Sequence, residues 1–302
     1  MRAQLQASLV LLALVAGCGG GSSSGSSGGG GVTPQQKEQA LAFTSALLIE
    51  VTAYSSPDTF VPPALRPGMA AELAQAHILR GPSAPLLPIR GFILTPCAGS
   101  TITTGPDASG YFTATTDFIG CTDGTTGQVV TRWKLATDFF DLAVSFNAFS
   151  VQAVIGGTLV TETISGTTAV TSTHAGNVWT THYLVPSLVA DATGGGTSLH
   201  LTHTADMTAT FTRTSALDQP VVGDYSVHGS STWNDGLAVF ASTIPQATPL
   251  LWKDLGSGTA CPYPLSGRVV YTINGRSFGL TFTSVCGIVA LDDGSSADMH
   301  NY

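Results

Sequence analysis

Seven histidines and nineteen carboxylates are the acid–base groups of this 302-residue chain, and their spacing limits what they can do. His182, His200 and His228 fall at polar positions of neighbouring predicted strands, where a cross-strand cluster would hold a metal ion. No His-x-His or His-x-x-x-His spacing places two ligands on one face, and His200 and His203 point to opposite faces of a strand. Surface histidines without a metal are therefore the expectation, and no cofactor is expected. Asp138 and Asp141 lie in "TDFFDL", and Asp292, Asp293 and Asp298 lie in "LDDGSSADMH". The second group offers oxygen ligands of the kind Ca²⁺ takes, but not the spacing or the bidentate Glu of an EF-hand loop. A solvated turn or tail is the better reading. Gly21-Ser22-Ser23-Ser24-Gly25 matches G-x-S-x-G, yet it lacks the preceding strand and following helix of a nucleophile elbow. There is no Walker loop, dinucleotide fingerprint or metalloprotease helix, so no catalytic residue is nominated.

The fifth cysteine has a different context. In "SLVLLALVAGCGGGSSSGSSGGGG" the apolar run from Leu9 to Ala16 is too short to cross a bilayer, which takes about 20 residues. Arg2 precedes it and small residues end it, the layout of a secretory signal. Val15-Ala16-Gly17-Cys18 resembles the lipobox of bacterial lipoproteins. That resemblance covers only the first eighteen residues, and it implies cleavage before Cys18 and lipidation of its thiol. The mature chain would then hang from the membrane by its acyl chains, each buried CH₂ adding about 0.8 kcal/mol. Gly19 is not the Asp that resembles an inner-membrane retention signal, so the resemblance implies the outer membrane of a Gram-negative envelope. Gly19 to Gly31, almost pure Gly and Ser, is a flexible tether with a reach of roughly 20 Å.

In an exported chain the four remaining cysteines, Cys97, Cys121, Cys261 and Cys286, suggest two disulfides. Of three connectivities, Cys97–Cys121 with Cys261–Cys286 is favoured because each pair brackets its own predicted hairpin. A zinc site is the rival use, but no Cys-x₂-Cys pair is present. The formal charge of −8, with Lys and Arg scattered, excludes nucleic acid as the expected partner. Charged residues are only 10% of the chain, so Thr, Ser and Gly must supply its polar faces.

These residues must be positioned by a mainly β fold. Residues 1–17 are the predicted signal, 18–32 the lipidated cysteine and tether, 33–90 a helical and Pro-rich segment, and 91–302 an antiparallel β domain. Thr33 caps a helix in which Ala40, Phe43, Leu47, Val51 and Tyr54 form one apolar stripe, and a weaker helix spans Met69 to Leu79. From about Gly91 the period becomes two. Leu199, Leu201, His203, Ala205, Met207, Ala209 and Phe211 alternate with His200, Thr202, Thr204, Asp206, Thr208 and Thr210. Similar segments are expected at 111–118, 129–135, 142–151, 158–164, 178–185 and 225–233, divided by turn signals such as Asp123-Gly124 and Gly194-Gly195-Gly196. Asn274-Gly275 sets a hairpin with Tyr271 opposite Phe278 and Val269 opposite Leu280. Continued outward, that register leaves Cys261 and Cys286 on a diagonal slightly long for a disulfide unless a bend intervenes. The layout "C…G…F-x-x-C" occurs twice and resembles hairpin units of uncharacterised exported β-rich lipoproteins, a resemblance that carries no chemistry.

The expected architecture is a large antiparallel meander (curled sheet, sandwich or partial barrel) with one or two N-terminal helices packed on one face. Trp133, Trp179, Trp233 and Trp252 are expected to fill its core more than to line a groove. The expected function is a noncatalytic, lipid-anchored envelope protein with a structural or binding role, its partners the membrane and an envelope protein. Two alternatives stand beside it: a carrier of an apolar ligand between sheet and helix, and an envelope hydrolase with a scattered active site.

Overall fold

The computed structural model describes residues 100–302, apart from 137–138, 156–157, 216–221, 235, 237–238, 256, 258–259, 274 and 302, together with nine residues between 33 and 48. Fourteen strands follow one another: β1 (Ser100–Thr104), β2 (Phe112–Asp117), β3 (Thr126–Leu135), β4 (Phe139–Ile155), β5 (Thr158–Ala175), β6 (Val178–Gly194), β7 (Thr197–Arg213), β8 (Gly223–Asn234), β9 (Val239–Ile244), β10 (Leu250–Leu255), β11 (Gly267–Ile273), β12 (Arg276–Phe282), β13 (Ile288–Leu291) and β14 (Ser296–Asp298). All belong to one sheet that runs in chain order from β1 to β9 and from β11 to β14, and the sheet is not closed into a barrel. β9 and β10 share one edge of β8: β9 pairs with Gly229–Asn234 and β10 with its start, Gly223 to Val227. The expected antiparallel meander is the fold observed.

Alternation of residue types decides the two faces. Trp179, Thr181, Tyr183 and Val185 on β6 stand opposite Phe211, Ala209, Met207 and Ala205 on β7, and all are buried. Tyr225 and Val227 on β8 extend the same face and are also buried. The other face carries Thr180, His182, Thr208 and Thr210, which stay wholly or partly exposed. One apolar cluster runs along the sheet from Phe118 and Val129 to Leu291, with a small satellite around Ala114 and Trp133.

The long central strands bend at their middles. The pairing shifts between Phe146 and Phe149 on β4, between Thr167 and Ala169 on β5, and between Val185 and Leu188 on β6. Each shift inserts residues on one strand, which kinks it and increases its local twist. Gly166 shows why the sequence allows this: its φ is +125°, and a Cβ there would lie 2.2 Å from the Ser187 carbonyl oxygen. Only glycine fits that close approach.

Of the first predicted helix, Pro34, Lys37, Glu38, Ala40, Leu41, Thr44, Leu47 and Leu48 are described, and all have helical backbone. Ala40, Leu41, Leu47 and Leu48 are buried in the same cluster as the sheet. Lys37 pairs with Asp293, in the turn between β13 and β14. No longer continuous helix is described, and the weaker one predicted at 69–79 lies outside the described residues.

Candidate functional site

Cys261 and Cys286 are placed by one hairpin. β11 and β12 pair in the register set by the Asn274-Gly275 signal, Tyr271 opposite Phe278 and Val269 opposite Leu280. The ladder ends at Gly267 opposite Phe282, short of the cysteines. Cys261 and Cys286 therefore lie on the connections beyond it, where their Cα atoms approach to 5.8 Å and a disulfide joins them. The bend that the diagonal required is present, since Pro262 and Pro264 precede the strand instead of extending it. Cys121 is also disulfide-bonded, while Cys97 and Cys18 lie outside the described residues.

The histidines of the polar face are spread out. Asp206 Oδ1 lies 2.8 Å from His182 Nε2, and Asp191 Oδ1 lies 2.6 Å from His200 Nδ1. Thr208 stands between His182 and His228, so these two occupy one row but not adjacent strands. His203 points the other way, buried and stacked on Trp233 at a centroid distance of 3.7 Å. The fold does not bring the three candidate histidines together, and no cluster of metal-ligating type occurs among the described residues.

The carboxylates are mostly structural. Asp141 accepts hydrogen bonds from the hydroxyls of Tyr111, at 2.7 Å, and Thr171, at 3.2 Å. That bond raises the Tyr111 hydroxyl above its ordinary range. Arg132 lies over the Tyr111 ring at 3.6 Å and donates to Asp107, whose carboxylate is lowered first by the backbone N–H of Tyr111. Asp138 lies outside the described residues. In the acidic C-terminal stretch, Asp292 takes hydrogen bonds from Arg268 and the Gly279 amide, at 2.7 and 2.8 Å. The Arg268 bond holds its carboxyl below the usual range. Asp298 meets the His300 amide at 3.0 Å, which lowers it likewise. The turn reading of this stretch holds for Asp292 and Asp293.

The tryptophans sit on the apolar face. Trp252 is fully buried and donates to the Pro262 carbonyl. Trp133 is buried too, but its Nε1 has no hydrogen-bond acceptor among the described residues. It belongs to a cross-strand row: Phe112 faces Trp133, Trp133 faces Leu142, Leu142 faces Val170, and Val170 faces Tyr183. Phe112, Leu142 and Val170 remain only half-buried, as do Phe140 and Val144 beside them. By contrast, Tyr225, Leu250, Val269 and Leu280, on later strands of the same face, are sealed. The apolar face is thus covered at one side of the sheet and half-open at the other.

The group that sequence reasoning missed is Glu162. Its neighbours in register are Val151 on β4 and Ala192 on β6, which places it on the apolar face. It has no hydrogen-bond or ion-pair partner among the described residues, and burial alone pushes its carboxyl up to about 7. A signal was present: in "VTETI" the acid falls in phase with Val160 and Ile164, a core position in an alternating strand.

Comparison with protein-family models, with curated proteins and with solved structures finds no match.

Proposed function

We propose that this chain is a noncatalytic, lipid-anchored binding protein of the bacterial cell envelope that takes an apolar ligand on the apolar face of its sheet. In this reading the sheet curls about that face, the N-terminal helical segment covers its sealed side, and the half-open side receives the ligand. One observation carries it: the row Phe112, Trp133, Leu142 and Val170 is apolar and continuous over four strands, yet half-exposed in all but Trp133. Open apolar surface of this kind marks an interaction site more often than it marks a finished core. The unsatisfied Trp133 N–H adds a donor that an acceptor on the ligand would fill.

The address rests on the sequence, on Cys18 and the tether that follows it. Two measurements test the two parts. The wild-type chain is expected in the detergent phase of a Triton X-114 partition, and Cys18→Ala in the aqueous phase. Equal partition of both overturns the anchor. Titration of the mature chain with Nile red, an uncharged apolar dye, is expected to saturate at one site. Leu142→Gln, at a half-exposed position, is expected to weaken binding at least tenfold with an unchanged melting temperature. Failure of the dye to bind saturably overturns the binding role.

A further inference from the structure

Glu162 is costly where it stands, and nothing among the described residues relieves the cost. The side chains that share its face are Val160 and Ile164 on β5, Val151 on β4, and Ala190 and Ala192 on β6, none of them titratable. The nearest titratable residues on β6 and β7, Asp191 and His200, lie on the opposite face and pair with each other. Phe149 and Ile164, one step further into the face, are wholly buried, whereas Glu162, Val160 and Ala192 are half-exposed. The carboxyl therefore sits where the core gives way to solvent, at an end of the apolar face. It is surrounded by hydrocarbon and still reachable.

Three roles can be weighed against those facts. A structural carboxyl would have a partner, since buried polar groups in folded proteins are almost always hydrogen-bonded. A metal ligand would have companions, and none stands near it among the described residues. A recognition group needs neither, because its partner arrives with the ligand. An ionised carboxyl in apolar surroundings is complementary to a cation whose body is itself apolar.

We propose that this end of the apolar face, with Glu162 between Val151 and Ala192, binds the ammonium head of an apolar amine, a long-chain cationic amphiphile whose hydrocarbon lies along the sheet. This rests on the apolar-ligand reading and names the ligand's class. Binding couples to the proton on Glu162: the carboxyl gives its proton to water as the ammonium docks, leaving a charge-assisted hydrogen bond N⁺–H···O⁻. Since burial holds the free carboxyl near 7, affinity for the amine rises with pH between about 6 and 8. Neutral and anionic amphiphiles gain nothing from that change.

The test uses the mature full-length chain, titrated calorimetrically with dodecylammonium, dodecanol and dodecanoate, each below its micelle-forming concentration. Wild type at pH 8 is expected to bind dodecylammonium at least tenfold more tightly than dodecanol. Dodecanoate is expected to bind more weakly than either. Glu162→Gln is expected to lose that tenfold preference and the pH dependence while keeping dodecanol and Nile red. Glu162→Asp is expected to keep part of both. Equal affinity of wild type and Glu162→Gln for dodecylammonium overturns the assignment. Charge-blind binding of all three amphiphiles overturns it as well, but leaves the apolar-ligand reading standing. If neither the amphiphiles nor Nile red bind, both readings fall together.

Discussion

At the scale of the residue, Glu162 stands apart from the carboxylates that donors hold in place. Asp141, Asp206, Asp191 and Asp292 each meet at least one donor or histidine nitrogen within 3.2 Å. Glu162 meets none among the described residues, and that makes its titration a measure of stability. Its carboxyl is raised from 4.5 to about 7 in the folded chain. Below about 4.5 the group is protonated whether folded or not, so the fold carries no penalty. Between about 4.5 and 7 the unfolded chain ionises while the folded one holds its proton, and stability falls as pH rises. Above 7 the whole penalty is present, about 1–3 kcal/mol once solvent at the open edge is allowed for. Glu162→Gln is therefore expected to raise the midpoint of urea unfolding at pH 8 and to leave it nearly unchanged at pH 4. A midpoint that moves equally at both values would mean that the carboxyl is not desolvated in solution.

At the scale of the element, alternation made the strands legible and bulges limited how far. The stretch Leu199 to Phe211 alternates without interruption, and the observed strand β7 runs through it from Thr197 to Arg213. On β5 and β6 the reading stopped near Ile164 and Val185, although the strands continue to Ala175 and Gly194. The cause is physical: on β6 the bulge at Val185/Leu188 shifts the phase, so residues past it read as facing the wrong way, whereas β5 keeps its phase but turns Gly166 and Thr168 inward, where the apolar pattern lapses. Pro186 added a breaker signal inside what is still one strand, because a bulge needs no ladder hydrogen bond at that point. The bend itself depends on Gly166. Gly166→Ala combines a positive φ with a Cβ driven against the Ser187 carbonyl, and is expected to cost about 2–4 kcal/mol, read from chemical unfolding. Gly176→Ala, in a turn where a Cβ meets nothing within 4 Å, is expected to cost about 1 kcal/mol. The Cys261–Cys286 bridge closes a segment of 25 residues around β11 and β12. Replacing both cysteines by serine is expected to lower stability by about 2–4 kcal/mol, and an unchanged melting temperature would show that the hairpin holds without its staple.

At the scale of the whole molecule, an open meander must deal with two edges, and this one treats them differently. β14 has three residues, carries Asp298, and runs directly into the 3-10 turn Met299–Asn301. Shortness, charge and an immediate change of backbone are the means by which edge strands avoid pairing with other chains. β1 has none of them. Its five residues, Ser-Thr-Ile-Thr-Thr, are uncharged and exposed throughout, and Ile102 is 64% exposed. Among the described strands β1 pairs with β2 alone, which leaves its other side as an edge that a strand from a second molecule could join. Antiparallel addition of β1 to another β1 would place the exposed Ile102 side chains near one another and remove apolar surface from water. The mature chain is thus expected to associate reversibly as concentration rises, seen as an increasing sedimentation coefficient. Ile102→Lys is expected to hold the coefficient at the monomer value while changing stability by less than about 0.5 kcal/mol, since the side chain packs on little. Phe278→Lys, in the sealed part of the same sheet, offers the contrast: it puts an unpaired charge into the core and should unfold the chain. Concentration-dependent association that persists unchanged in Ile102→Lys would place the contact elsewhere, and the half-open row around Leu142 would be the next surface to substitute.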